Sequence, residues 1–259
     1  MPTLLAVPRL RLVTDVSPGD WVAKGVGPLG SGVGSLLPGG FEAYVRILHP
    51  AVSRDGMPVR WDSVATWSGA TAHPRAQFEA IARPRRGADR QLAPFDQRPP
   101  VGRLPEPLLA ALCDVLTTHT RMPDRCWFCV WDGYGWISGP TPLSVLGDAP
   151  PFPPAFGLAA QSSPRVRLPE RAYLLFDGPL GAASDVGWWL NGDLVIPQSP
   201  NLFWPDDRAW CVATEIDLDS TFVGGSAALT AAVLKDVRFE AWPSELTDPV
   251  SASSDEINH

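Results

Sequence analysis

The chain has 259 residues, 45% of them hydrophobic and 19% charged, which excludes a disordered chain and is long enough for a core that needs no disulfide or metal. The net charge of −7 argues against non-specific nucleic-acid binding. Residues 1–125 hold 15 Lys and Arg against 11 Asp and Glu, and the remainder 6 against 17, so the acidic half suits cationic partners.

Leu4–Val7 is too short for a secretory apolar region and is broken by Pro8. No later apolar run reaches spanning length, so the expectation is a cytoplasmic protein with no membrane partner. LRLV at 10–13 suits a short strand. From Gly25 to Gly40 glycine dominates. Gly25, Gly27 and Gly30 match the spacing of a dinucleotide fingerprint. Pro28 interrupts it and no helical pattern follows, so the segment is predicted to be a mobile surface loop, not a nucleotide cradle.

FEAYVRIL at 41–48 alternates apolar and polar residues, which predicts a half-buried strand ending at His49–Pro50. His49 is expected to make a local hydrogen bond at that strand end, in preference to acting as a ligand or base. Residues 59–82 predict two short helices, one capped by Asp62 or Ser63 and closed by Gly69, the next opening near Pro74. Arg83–Pro100 lacks periodicity and is predicted to be a loop.

Residues 105–120 carry Leu108, Leu109, Leu112, Val115 and Leu116 at helical spacing. CWFCVWDGYGWISG at 126–139 predicts a β-hairpin turning at Asp132–Gly135, its first strand apolar on both faces. That strand is either central in a sheet or the wall of an aromatic groove. Cys126 and Cys129 form a CxxC. A second Cys pair or downstream histidines at metal spacing are absent, and strand spacing puts the two on opposite faces, so buried thiols are expected, with no metal and no cofactor.

Residues 140–170 are a Pro-rich connection, 171–178 a strand, and 181–187 a short helix or turn. Trp188–Trp189 and the turn at 191–193 lead into SPNLFWPDDRAWCVATEIDLDSTFVGGSAALTAAVLKD, residues 199–236. There a stiff apolar loop is predicted to enter one strand over 209–217. Glu215 and Asp217 share a face of it, the candidate acid/base or cation-binding pair. Ser226 is the predicted cap of a helix. VRFEAW at 237–242 predicts a last strand, and 243–259 a disordered acidic tail.

GFEAYVRILHP, CWFCVWDGYGW and NLFWPDDRAWCVATEIDLDSTFVGGS together resemble a group of uncharacterised proteins predicted from high-GC actinobacterial genomes. The resemblance spans Gly40 to Trp242. It implies a compact domain and an actinobacterial source, and transfers no catalytic residue.

The expected fold is a single α+β domain over 1–242 with long Pro/Gly-rich loops. Its mainly antiparallel or mixed sheet has about six to eight strands, flanked by about four helices. The irregular succession of elements argues against a doubly wound sheet. The expected function is binding of a small molecule or protein in an aromatic-lined groove built from Trp131, Tyr134, Trp204 and Trp210, with Asp206, Asp207 and Arg208 orienting the ligand. The alternative is a hydrolase or transferase using Glu215 and Asp217, with or without a divalent metal. A regulatory partner for a basic target is the third reading.

Overall fold

The computed structural model describes residues 9–85, 92–138, 158–191 and 194–258. The expectations for Leu4–Val7, for residues 86–91 of the Arg83–Pro100 loop and for most of the Pro-rich connection lie outside those residues. The strands are β1 (Arg11–Leu12), β2 (Ala43–Leu48), β3 (Ala51–Val52), β4 (Pro58–Val59), β5 (Cys126–Trp131), β6 (Val166–Leu168) and β7 (Arg171–Gly178). They continue with β8 (Gly187–Asn191), β9 (Leu194–Pro197), β10 (Leu202–Pro205), β11 (Cys211–Ala213), β12 (Ser220–Gly225) and β13 (Ala241–Ser244). The helices are α1 (Asp20–Gly25), α2 (Trp61–Ser68), α3 (Phe78–Ile81), α4 (Glu106–Thr117), α5 (Gly135–Ser138), α6 (Leu158–Gln161) and α7 (Ala227–Lys235).

The fold is α+β, with a nine-stranded sheet in the order β1-β7-β5-β10-β11-β12-β2-β13, β6 pairing β7 at one edge. Every pairing is antiparallel. Two small hairpins, β3–β4 and β8–β9, stand apart from it. No helix among the described residues is long and apolar enough to cross a membrane.

The period-two alternation sets both faces of the sheet. Val45, Ile47, Phe128, Leu174, Phe203, Val212 and Val223 face one layer, where Leu109, Leu112 and Leu116 of α4 and Leu229 and Val233 of α7 cover them. Tyr44, Cys129, Tyr173, Leu175, Leu202, Trp204 and Phe222 face the other. β5 is central and covered on both sides, and Cys126 and Cys129 fall on opposite faces as their spacing requires. All four cysteines are unpaired thiols. Burial pushes the Cys126 thiol up to about 12 and raises Cys129 as well.

Several expectations are corrected. Leu202–Pro205 is not a loop but a fully buried strand, which Pro205 terminates. Residues 209–217 are not one strand: β11 stops at Ala213, and β12 precedes the Ser226 cap, whose Oγ accepts from Leu229 N at 3.2 Å. Residues 126–138 make no hairpin. After β5 the chain coils into α5, and Tyr134 stacks on Trp136 with centroids 5.6 Å apart. The cap of α2 is neither Asp62 nor Ser63. Arg60 holds the cap position, and the remote carboxylate of Glu240 accepts from Trp61 N at 2.6 Å and Asp62 N at 2.8 Å.

The Gly-rich segment is not a mobile surface loop. Val33, Leu36 and Leu37 are buried in the second layer. Gly32 has φ 93° and lies so close to the chain that a Cβ would meet the Asp248 carbonyl at 2.6 Å, so no other residue fits there. Nor are residues 244–258 disordered. Leu246 and Val250 pack on the same layer. Asp255 is buried and accepts from Gln77 N (3.1 Å), Asn258 N (2.8 Å), Asn258 Nδ2 (2.9 Å) and His73 Nε2 (2.9 Å). Polar composition suggested a tail, but paired polar groups bury well.

Hydrogen bonds to a buried carboxylate contribute about 1.5–3 kcal/mol each, and orphaned donors cost more. Asp255→Ala is therefore expected to lower the unfolding free energy by about 2–4 kcal/mol. Urea titration checks this, with faster amide exchange at Gln77 and Asn258 as the local signature.

Candidate functional site

Glu215 and Asp217 lie in the turn between β11 and β12, closed by Leu218 N donating to the Glu215 carbonyl at 3.1 Å. Strand parity no longer relates them, yet they converge on one cation. Arg171 of β7 donates through Nε and Nη2 to Glu215 Oε1 at 3.1 and 3.0 Å, and through Nη2 to Asp217 Oδ2 at 3.0 Å. The Glu215 side chain is 10% exposed and that of Asp217 74%. Burial raises the Glu215 carboxyl pKa while Arg171 opposes the rise. Asp219 turns elsewhere, 4.0 Å from the buried Arg46. An acid/base pair relies on like charges pushing one proton affinity up. Here one guanidinium bonds both acids, and its pull on Glu215 opposes the push from Asp217. Among the described residues, no three His, Cys, Asp or Glu side chains gather as a metal would need.

The aromatic groove expected from sequence does not form. Trp204 is 1% exposed and Trp210 is fully buried, and they sit on opposite faces of the sheet. Trp131 and Tyr134 do meet, edge to face at 5.2 Å. The Tyr134 hydroxyl donates to the Gly102 carbonyl at 3.3 Å and accepts from Gln198 Nε2 and Asn201 Nδ2, each at 2.9 Å. It is thus a brace, and burial pushes its pKa up to about 12.

Asp206, Asp207 and Arg208 build the corner between β10 and β11. Asp206 accepts from Trp127 Nε1 at 2.9 Å and pairs with Arg125 at 3.0 Å. Asp207 accepts from Thr120 Oγ1 at 2.8 Å and Arg121 N at 2.9 Å. Arg208 adopts φ 54°, and its guanidinium lies 5.4 Å from the Trp21 ring centroid. All three are tied down by the fold.

The large concavity lies elsewhere. An open groove of about 690 Å³ runs between the β3–β4 hairpin, the 97–108 segment that enters α4, and residues 237–240. Pro50, Pro58, Pro100, Pro105 and Pro107 line it, and Arg60, Arg98, Arg103, Arg238 and Glu240 supply its charge. Two of its walls are joined by backbone pairing of Val52 with Gln97. None of the site residues expected from sequence borders it. The density of proline between 94 and 107 was a visible signal, but nothing local linked it to Arg60 or Glu240.

Behind the groove wall sits His49, with no exposed surface. Its Nδ1 is 2.7 Å from the Pro100 carbonyl and its Nε2 is 2.9 Å from Thr221 Oγ1, which meets Thr214 Oγ1 at 2.8 Å. A carbonyl only accepts, so Nδ1 carries the proton and Nε2 accepts from Thr221. The sequence placed this histidine at a strand end with a local hydrogen bond. Its partners prove to be 51 and 172 residues away. Desolvation, helped by the charges of Arg46 and Arg103, depresses its pKa to about 4.

No family model matches the chain, and no curated protein or solved structure matches it either.

A histidine kept neutral by the fold binds its proton more readily when unfolded, so its contribution is complete above about pH 6.5 and is lost as pH falls toward 4. The loss expected across that window is about 3 kcal/mol. Urea unfolding of wild type and His49→Gln from pH 7 to 4 reads it: the stability difference between the two should shrink by that amount. A difference independent of pH contradicts the buried neutral imidazole.

Proposed function

We propose that this protein is a binding module whose ligand occupies the groove between the β3–β4 hairpin and α4. The single observation that carries the reading is the groove itself. Its volume of about 690 Å³ lies within the range of small-ligand sites, and such sites combine apolar walls with a few placed polar groups. The five prolines have little conformational freedom to lose, so the groove is formed before a ligand arrives. The carboxylates of Glu215 and Asp217, engaged by Arg171, lend no support to acid/base catalysis. Four unpaired thiols suit a reducing compartment, and we infer a cytoplasmic setting.

Protein-observed NMR of the full chain with a library of small organic fragments tests the reading. Binding fragments are expected to shift the amides of Val52, Leu108 and Val237 together. Fragments that cluster around Trp131 and Tyr134, or that leave the groove amides unmoved, overturn it.

A further inference from the structure

We propose that the groove takes an amphipathic organic anion, an apolar body bearing one carboxylate, sulfonate or phosphate, anchored by Arg103. This rests on the groove being the binding site.

Charge is the first argument. The chain carries −7 overall, yet four arginines line the groove against one acidic residue, Glu240. Both Glu240 oxygens are occupied by the first backbone N–H groups of α2, at 2.6 and 2.8 Å. That contact directs the carboxylate at the helix N-terminus, where a negative charge is stabilised, and leaves the groove cationic.

The four arginines are not equivalent. Arg60 pairs with Asp62 at 3.4 Å, Arg98 with Glu79, and Arg238 with Asp236 and Asp114 at 2.7 and 2.9 Å. Arg103 has no carboxylate within 4 Å among the described residues. Its Nη1 donates to the Pro197 carbonyl at 3.3 Å. A guanidinium has five N–H donors in a planar fork that matches an oxyanion. Arg103 therefore keeps most of its donors and an uncompensated charge, and it is only partly exposed.

Its backbone is also fixed. Gly102 N donates to the Leu218 carbonyl at 2.9 Å, and Leu104 N to Ser199 Oγ at 2.9 Å. The Gly102 carbonyl accepts from Gln198 Nε2 at 2.7 Å and from the Tyr134 hydroxyl. Gly102 has φ 75°, and a Cβ there would meet the Ile216 carbonyl at 2.6 Å. The polar cluster around Tyr134 thus fixes the backbone that carries Arg103 into the groove wall.

Shape supplies the second argument. The prolines, Leu48 and Leu108 offer an apolar wall, and Val237 stands 88% exposed on the opposite rim. An apolar side chain so exposed gains by being covered. A small inorganic anion would satisfy Arg103 and leave that surface wet. An apolar body with one anionic group satisfies both.

The test uses three molecules with one body and three charges: 2-naphthoate, 2-naphthalenemethanol and 2-naphthylmethylammonium. Each is titrated into the full chain by NMR. The carboxylate is expected to bind about tenfold or more tightly than the other two, because a charge-assisted hydrogen bond contributes that much. Arg103→Gln should abolish the preference, and Arg11→Gln, at a residue that lies outside the groove and pairs with Asp177, should leave it intact. If the alcohol binds in the groove as tightly as the carboxylate, the ligand class is wrong and the groove remains the binding site. If Arg103→Gln keeps the preference, the anchor is wrong. If none of the three shifts the groove amides, the binding reading fails and this inference with it.

Discussion

The structure depends on one constraint: its sheet is apolar on both faces. Phe203 and Trp204 are neighbours in β10, and each is buried in a different layer. The same holds for Phe128 and Cys129 in β5, and for Leu174 and Leu175 in β7. Each large apolar side chain removed from water stabilises the fold by about 1.5–3 kcal/mol, so neither face can stay bare. Amphipathic helices α4 and α7 meet one face. Among the described residues the other face is closed by the short helix α1 and by irregular chain, the Gly-rich segment and the C-terminal stretch. Backbone buried without secondary structure needs outside partners. It finds them where Val33 N and Gly34 N donate to the Asp248 and Leu246 carbonyls at 3.0 and 2.8 Å.

The same constraint explains what was legible in the sequence. Local patterns were: the alternation in FEAYVRIL, the leucine stripe of α4, the Ser226 cap and the opposed Cys126 and Cys129. Each is decided by residues a few positions apart. What failed was composition used as a proxy for exposure. Glycine at 25–40 and polar residues after Pro243 signal loops. Yet glycine also allows close approach, and polar groups bury when paired. β10 and β12 were missed because Pro205 and Gly224–Gly225 punctuate them, although both are buried along their length.

The candidate site was less legible for a related reason. Glu215, Asp217, Asp206, Asp207 and Arg208 look functional because polar residues beside tryptophan are conspicuous in one dimension. Their partners, Arg171, Arg125, Thr120 and Trp21, are distant in sequence, and only the fold reveals that they are engaged. The groove has the opposite character. Its walls come from three regions that carry no motif, and Arg103 is distinguished from its neighbours only by the acid it does not meet.

The pairing of β2 bears on how the chain is made. β2 joins β12 on one side and β13 on the other, and 172 residues separate Leu48 from its partner Ser220. At ribosomal rates of about 5–20 residues per second, that interval is on the order of ten to thirty seconds. Throughout it, a strand carrying Val45 and Ile47 has emerged with both edges open. Unpaired apolar strands are templates for association with other chains. Arg46 sits midway along it, and until Ser220 and the carbonyls of Pro74 and Ala76 receive its guanidinium it is a charge on an open strand, a feature that resists premature stacking. The residue that is costly to bury in the finished protein is thus a protective one in the nascent chain.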